Sequence, residues 1–187
     1  MRLALGTVQF GLDYGISNHD GQVSDEELDA IIALARQAGI DTLDTAQAYG
    51  NAEQRLGQRD TTGFTLIDKL APGLPLSDVQ AAINNSLRLL GRKRLDGLLL
   101  HRSQDASPAM FELLTDLQQQ GSIGKLGISV YSPESSIPGA QLAILWNWYN
   151  YLPICSINAF CALAGSTSWQ KWGVKSMFAR SFCRGCC

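Results

Sequence analysis

Apolar runs of strand length begin near residues 3, 40, 64, 96 and 124, and a helical signal fills each gap between them. Alternation of that kind leaves few folds open. Strands joined through helices pair in parallel, so the chain must build a parallel sheet, either doubly wound or closed into a (β/α)8 barrel.

The local signals are concrete. Leu3-Ala4-Leu5-Gly6-Thr7 forms the first strand, and a long glycine-rich loop through Gly11, Gly15 and Gly21 follows. Ser24 and Glu27 have capping-box spacing, in which each side chain satisfies a free backbone donor at a helix start. Leu28, Ile31, Ile32 and Ala35 then share one helical face, and Gly39 stands where that helix stops. The second strand covers Ile40 to Leu43, a short helix Glu53 to Leu56, and the third strand Phe64 to Ile67. Ser77 and Gln80 have the spacing of a second capping box, ahead of an apolar face of Val79, Ile83, Leu87 and Leu90 that Gly91 closes. Leu98-Leu99-Leu100 is a continuous apolar run, as expected of a strand buried on both faces. Ser107-Pro108 reads as an N-cap followed by proline at the first helical position. Met110, Leu113, Leu114 and Leu117 form the next stripe, Gly121 ends it, and the fifth strand is Leu126 to Val130.

Two details favour the barrel over the doubly wound sheet. No G-x-G-x-x-G follows the first strand, so the dinucleotide-binding turn of a Rossmann fold is missing. The polar residues of interest stand at C-terminal strand ends, the face on which barrel enzymes keep their sites. A complete barrel of this type takes about 250 residues, and the sequence has 187. The expectation is an incomplete (β/α)8 TIM barrel of about five β/α units, followed by an atypical tail.

Four ionisable groups carry the chemistry. Asp44 stands just past the second strand, Tyr49 lies in the same loop, Lys69 stands just past the third strand and His101 just past the fourth. In a barrel these ends converge on one mouth. A phenol is too weak an acid at neutral pH to give up its proton readily, with an ordinary pKa near 10. A neighbouring ammonium favours the phenolate, a carboxylate would hold that ammonium in place, and an imidazole could orient a carbonyl oxygen. Each residue alone also has an ordinary structural explanation. Asp44 would cap a turn, Tyr49 pack at one, Lys69 be a solvated loop lysine and His101 a satisfied core histidine. Their placement on successive strand ends distinguishes the set.

The segment Gly39-Ile40-Asp41-Thr42-Leu43-Asp44-Thr45-Ala46-Gln47-Ala48-Tyr49-Gly50, with Glu53 and Leu56-Gly57 behind it, resembles the signature of the aldo-keto reductases. Leu5-Gly6-Thr7, Ile67-Asp68-Lys69-Leu70, the run into His101 and Lys125-Leu126-Gly127-Ile128-Ser129 extend the resemblance over residues 1–134. It implies a (β/α)8 barrel that reduces an aldehyde or ketone to an alcohol with NADPH. It also implies Asp44, Tyr49, Lys69 and His101 as catalytic residues with Tyr49 as general acid, and Thr7, Asp44 and Ser129 near the cofactor. Val130 departs from the pattern, since many members have asparagine there. The family's contacts to the dinucleotide phosphates come largely from the last strands, so most NADPH-binding positions are expected to be missing here.

Composition breaks at Glu134. Residues 1–134 hold 11 basic and all 17 acidic side chains, a net −6, and residues 135–187 hold 4 basic and none acidic. All 5 cysteines and all 4 tryptophans lie in that second part, and residues 135–170 contain no charge. Periodicity and caps vanish with the acids, as a change of reading frame around residues 135–142 would produce. Pro153 and the asparagines Asn147, Asn150 and Asn158 make the uncharged stretch too polar for a membrane span. Cys183, Cys186 and Cys187 lack a second ligand pair, a poor zinc site. Without strands six to eight the barrel is expected to stay open, with an unpaired edge on the fifth strand through which the chain could self-associate.

Other functions are weaker. A net charge of −2 lacks the basic face a general nucleic-acid binder needs. Arg88, Arg92, Lys93 and Arg94 cluster at a helix end, where they offset the helix dipole. The stretch Gly121 to Lys125 is a turn into a strand rather than a phosphate loop. With no basic segment ahead of an apolar one at the start, the cytoplasm is the default compartment. The alternatives to a reductase are a non-catalytic chain that acts by association with another chain, and a barrel lyase or isomerase with Lys69 as Schiff-base former.

Overall fold

The computed structural model describes residues 3–16, 18–130, 154–155 and 177–179. Up to Val130 the order is β1 (Leu3–Gly6), α1 (Val8–Gly11), α2 (Asp25–Gln37), β2 (Thr42–Asp44), α3 (Ala52–Gly57), β3 (Thr65–Leu70), α4 (Leu76–Leu89), β4 (Leu95–Leu100), α5 (Pro108–Gln119) and β5 (Ile123–Val130). Two short strands follow, β6 (Ile154–Cys155) and β7 (Met177–Ala179). Every pairing is parallel, and the strands run in chain order around a closed ring in which β7 returns to β1. The architecture is that of an incomplete (β/α)8 barrel, with five β/α units and seven strands among the described residues.

Two expectations about the tail are corrected. The edge of β5 is not open, because Ser129 pairs with Ile154 and Val130 with Cys155. The ring closes despite the break in composition, as Leu3 and Ala4 pair with Phe178 and Ala179. Strands of two and three residues need only backbone hydrogen bonds to extend a parallel ladder, so they leave no alternation in the sequence. The tryptophans and Cys183, Cys186 and Cys187 lie outside the described residues. Among the described residues, no helix is long and apolar enough to cross a membrane.

Helix starts follow their caps where the caps are real. Ser24 accepts from Glu27 N while Glu27 Oε2 accepts from Ser24 N, a complete capping box on α2. Ser107 caps α5 through Met110 N, with Pro108 in the first turn. The expected box of Ser77 and Gln80 does not form. Pro75, in extended conformation, is the N-cap of α4, the helix begins at Leu76, and Ser77 bonds Asp78 instead. Proline's fixed φ suits it to a helix start, and it moves the boundary upstream of the serine.

Alternation along the strands sorts side chains between two layers. Leu66 and Leu70 of β3 join Leu98 and Leu100 of β4 in the main core, packed with Leu28 and Ile32 of α2 and Val79 and Ile83 of α4. Burying each such side chain contributes about 1.5–3 kcal/mol. Ile67 and Leu99 form a separate small cluster on the opposite face, inside the ring. In that register Lys69 lies opposite Leu99 and so points inward, whereas Asp68 points outward toward the helices.

Candidate active site

Asp44 is the last residue of β2, and Lys69 lies inside β3, one residue before its end. The third strand therefore runs three residues past Ile67, where the sequence reading ended it. Both side chains turn into the ring. Lys69 Nζ donates to Asp44 Oδ1 at 2.6 Å, to the carbonyl of Thr45 at 3.0 Å and to Tyr49 Oη at 3.4 Å. An ammonium has three N–H donors, so these three acceptors account for all of them. Lys69 and Asp44 are only 3% and 6% exposed. The amine is thus buried and held by a carboxylate, which speaks against a Schiff base, whose formation needs a reachable, uncharged amine.

Tyr49 is placed by its loop. Thr45 N donates to the Ile67 carbonyl and Gln47 N to the Lys69 carbonyl, so the chain leaving β2 is stitched along β3. Gln47 adds two side-chain bonds, accepting from Ala71 N at 2.8 Å and donating to Ser86 Oγ on α4 at 2.9 Å. Helix α1 presses on the far side of this loop. A Cβ at Gly11 would strike the Tyr49 carbonyl oxygen, and one at Gly50 would strike the Gly11 carbonyl.

His101 follows β4 and meets Tyr49 edge to face, with ring centroids 5.9 Å apart and planes at 86°. Burial lowers its pKa, and the Lys69 charge adds to the effect, so the imidazole is neutral at pH 7. Its Nδ1 is buried without a partner. The four residues read from the sequence as ionisable strand-end groups are brought together in one cluster. Thr7 is buried behind it, and both its N–H and its hydroxyl are directed at the Asp44 carbonyl, so it braces β2. Ser129 is buried on β5 in the inward register shared with Gly127 and Leu99. Thr45 and Gln47 were not singled out from the sequence, although both lie inside the segment that carries the resemblance.

A model of the aldo/keto reductase family matches residues 2–156. The chain belongs to the aldo/keto reductase family. The match runs past the compositional break at Glu134. Solved structures of aldo-keto reductases share the fold. One from Pseudomonas aeruginosa matches at 23% identity and TM-score 0.68, over 96% of this chain and 83% of its own. One from Bacillus halodurans matches at 20% and 0.65, and one from Klebsiella pneumoniae in complex with NADPH at 22% and 0.64. This chain spans 61% and 63% of the length of those two.

A nicotinamide dinucleotide makes two demands on the site, a reacting end and a seat for its phosphates. The strand-end cluster suits the first, since Tyr49 Oη and the partly buried imidazole of His101 stand together beside a buried cation. The second demand is not met by the described residues. Phosphates call for cations or the N-terminus of a helix. Among the described residues, the cations at or past the C-terminal ends of β1–β4 are Lys69, taken by Asp44, and Arg102, paired with Asp105 at 2.7 Å.

Proposed function

We propose that the chain is a carbonyl reductase that takes an aldehyde or ketone to an alcohol with NADPH as hydride donor. One observation carries the reading: Lys69 Nζ bridges the Asp44 carboxylate and the Tyr49 hydroxyl inside the barrel mouth. NADPH would supply the hydride when bound, with Thr7, Asp44 and Ser129 as the positions nearest its nicotinamide.

The chain's own groups would act on the carbonyl oxygen. Tyr49 Oη donates a hydrogen bond to that oxygen and delivers its proton as negative charge develops there. The Lys69 ammonium stabilises the phenolate left behind. Asp44 fixes the ammonium and balances its charge in a site nearly closed to water. Neutral His101 orients the same carbonyl oxygen from the other side of the phenol. With Lys69 and Arg102, the cations at this mouth among the described residues, already paired, we take NADPH binding as weak and the activity as impaired. A non-catalytic role by association with another chain has less support, because β6 occupies the edge of β5.

The test is carbonyl-dependent oxidation of NADPH by the full chain over a panel of small aldehydes and ketones. Wild type should show it, with a high KM for NADPH, and Tyr49→Phe should lose at least about a hundredfold, the contribution of a positioned general acid. Equal rates for the two proteins would contradict the reading.

A further inference from the structure

Behind β3, on the side facing the helices, lies a second group of polar residues that the chemistry above does not use. Glu53 of α3 and Asp68 of β3 are 5% and 0% exposed. Both acids lie beside Ser86 on α4 and close enough to each other for their charges to interact. Asp68 Oδ1 accepts from the backbone N–H of Lys69 at 2.8 Å. The remaining oxygens Glu53 Oε1 and Asp68 Oδ2 are buried without a partner.

Two ionised carboxylates at such a place would have one hydroxyl, that of Ser86, to share as side-chain donor, and Glu53 Oε1 and Asp68 Oδ2 would stay unpaired. One proton removes the difficulty, because a protonated carboxyl donates to its neighbour. Ser86 also accepts from Gln47, and Gln47 holds Ala71 N and the Lys69 carbonyl. Asp68 thus reaches the strand of Lys69 by a hydrogen bond, and Ser86, beside both acids, is bonded to the loop of Tyr49 through Gln47.

We propose that Glu53 and Asp68 form a proton-sharing carboxyl pair that, through Ser86 and Gln47, positions Lys69 and the Tyr49 loop. Loss of the shared proton leaves two like charges in an apolar setting, pushes α3 from β3 and slackens the loop. The catalytic consequence rests on the reductase reading; the proton-sharing and the movement of the loop do not. Desolvation, followed by the charge of Glu53, pushes the Asp68 carboxyl up to about 8. Glu53 is raised as well, mainly by burial. Lys69 is the cation beside the pair, and its Nζ is turned away to Asp44. Arg55 on α3 is committed to Asp25. On the other packed elements the titratable groups are Asp44 on β2, Asp96 on β4, whose Oδ2 accepts from Leu66 N, and Asp78 and Arg88 on α4.

The test is a pH series on the full chain, wild type against Asp68→Asn. A folded state that holds one more proton than the unfolded chain loses stability as pH rises, up to tenfold in the unfolding constant per pH unit. Urea unfolding of wild type should show this loss between pH 5 and 8, and Asp68→Asn should flatten it. The amide resonances of Lys69, Gln47 and Ala71 should titrate together near pH 8 in wild type and stay fixed in the variant. An infrared band of a protonated carboxyl should be present in wild type at pH 7, a readout that needs no variant. Parallel stability curves, still amides or no such band would each overturn the proposal. None of these readouts uses turnover, so an inactive wild type would sink the reductase reading and leave the pair standing.

Discussion

Gly11 and Tyr49 touch through their backbones so closely that a Cβ on the glycine would overlap the tyrosine carbonyl oxygen. The contact joins α1 to the loop that presents the phenol. Gly50 closes it from the other side, with φ at +57°, a left-handed conformation that suits glycine. Gly11→Ala should force the loop outward at a cost of about 1–3 kcal/mol, as overpacking does. Urea unfolding measures it, and an unchanged midpoint would contradict it.

The pair of Lys69 and Asp44 is buried enough to be costly when halved. Lys69→Met should lose about 3–5 kcal/mol of stability, because Asp44 is left buried and unpaired. Adding Asp44→Leu should recover much of that loss. Denaturant unfolding of the two single variants and the double variant completes the cycle. Strict additivity would show that the two charges do not act on each other.

His101 should titrate below the ordinary histidine value of about 6.5, since burial and then the charge of Lys69 lower it. The unfolded chain binds this proton more tightly than the folded one. The stability it contributes is therefore present above pH 6.5 and is lost as pH falls toward the lowered folded value. Proton NMR of the imidazole gives the midpoint directly. In Lys69→Met the midpoint should move up, and a wild-type midpoint above 6.5 would contradict the assignment.

Caps separate two serines with similar sequence settings. Ser107→Ala should cost about 1 kcal/mol, because Ser107 accepts from Met110 N at the start of α5. Ser77→Ala should change stability by less than about 0.5 kcal/mol, since Ser77 sits inside α4 and bonds only Asp78 among the described residues. Thermal or urea unfolding of both variants decides the matter, and equal losses would contradict the boundary at Pro75.

The same contrast shows what a sequence of this kind reveals. Strands buried on both faces and helices with one apolar stripe leave strong periodic signals, so the five units and the strand-end residues Asp44, Lys69 and His101 were legible. Signals that depend on neighbours far along the chain were not. The extent of β3 to Leu70 is set by its ladder with β4, which pairs Leu70 with Leu100. Helix α1 is four residues long and has no side-chain cap, too short to show a period. Glu53 and Asp68 stood in the sequence only within the segments that carry the resemblance, because only the fold brings α3 and α4 over the outer face of β3 and buries the two acids there. The strands β6 and β7 are invisible for a different reason, since backbone pairing alone defines them.

The proposed chemistry comes down to whether hydride reaches a carbonyl carbon in this protein. A single-turnover experiment with NADPH deuterated at the reactive position of the nicotinamide, a simple aldehyde and the full chain in excess answers it. Mass spectrometry should find one deuterium on the carbinol carbon of the alcohol with wild type, and a yield at least about a hundredfold lower with Tyr49→Phe. Alcohol without deuterium, or the same labelled yield from both proteins, would contradict the role given to the cluster of Asp44, Tyr49, Lys69 and His101.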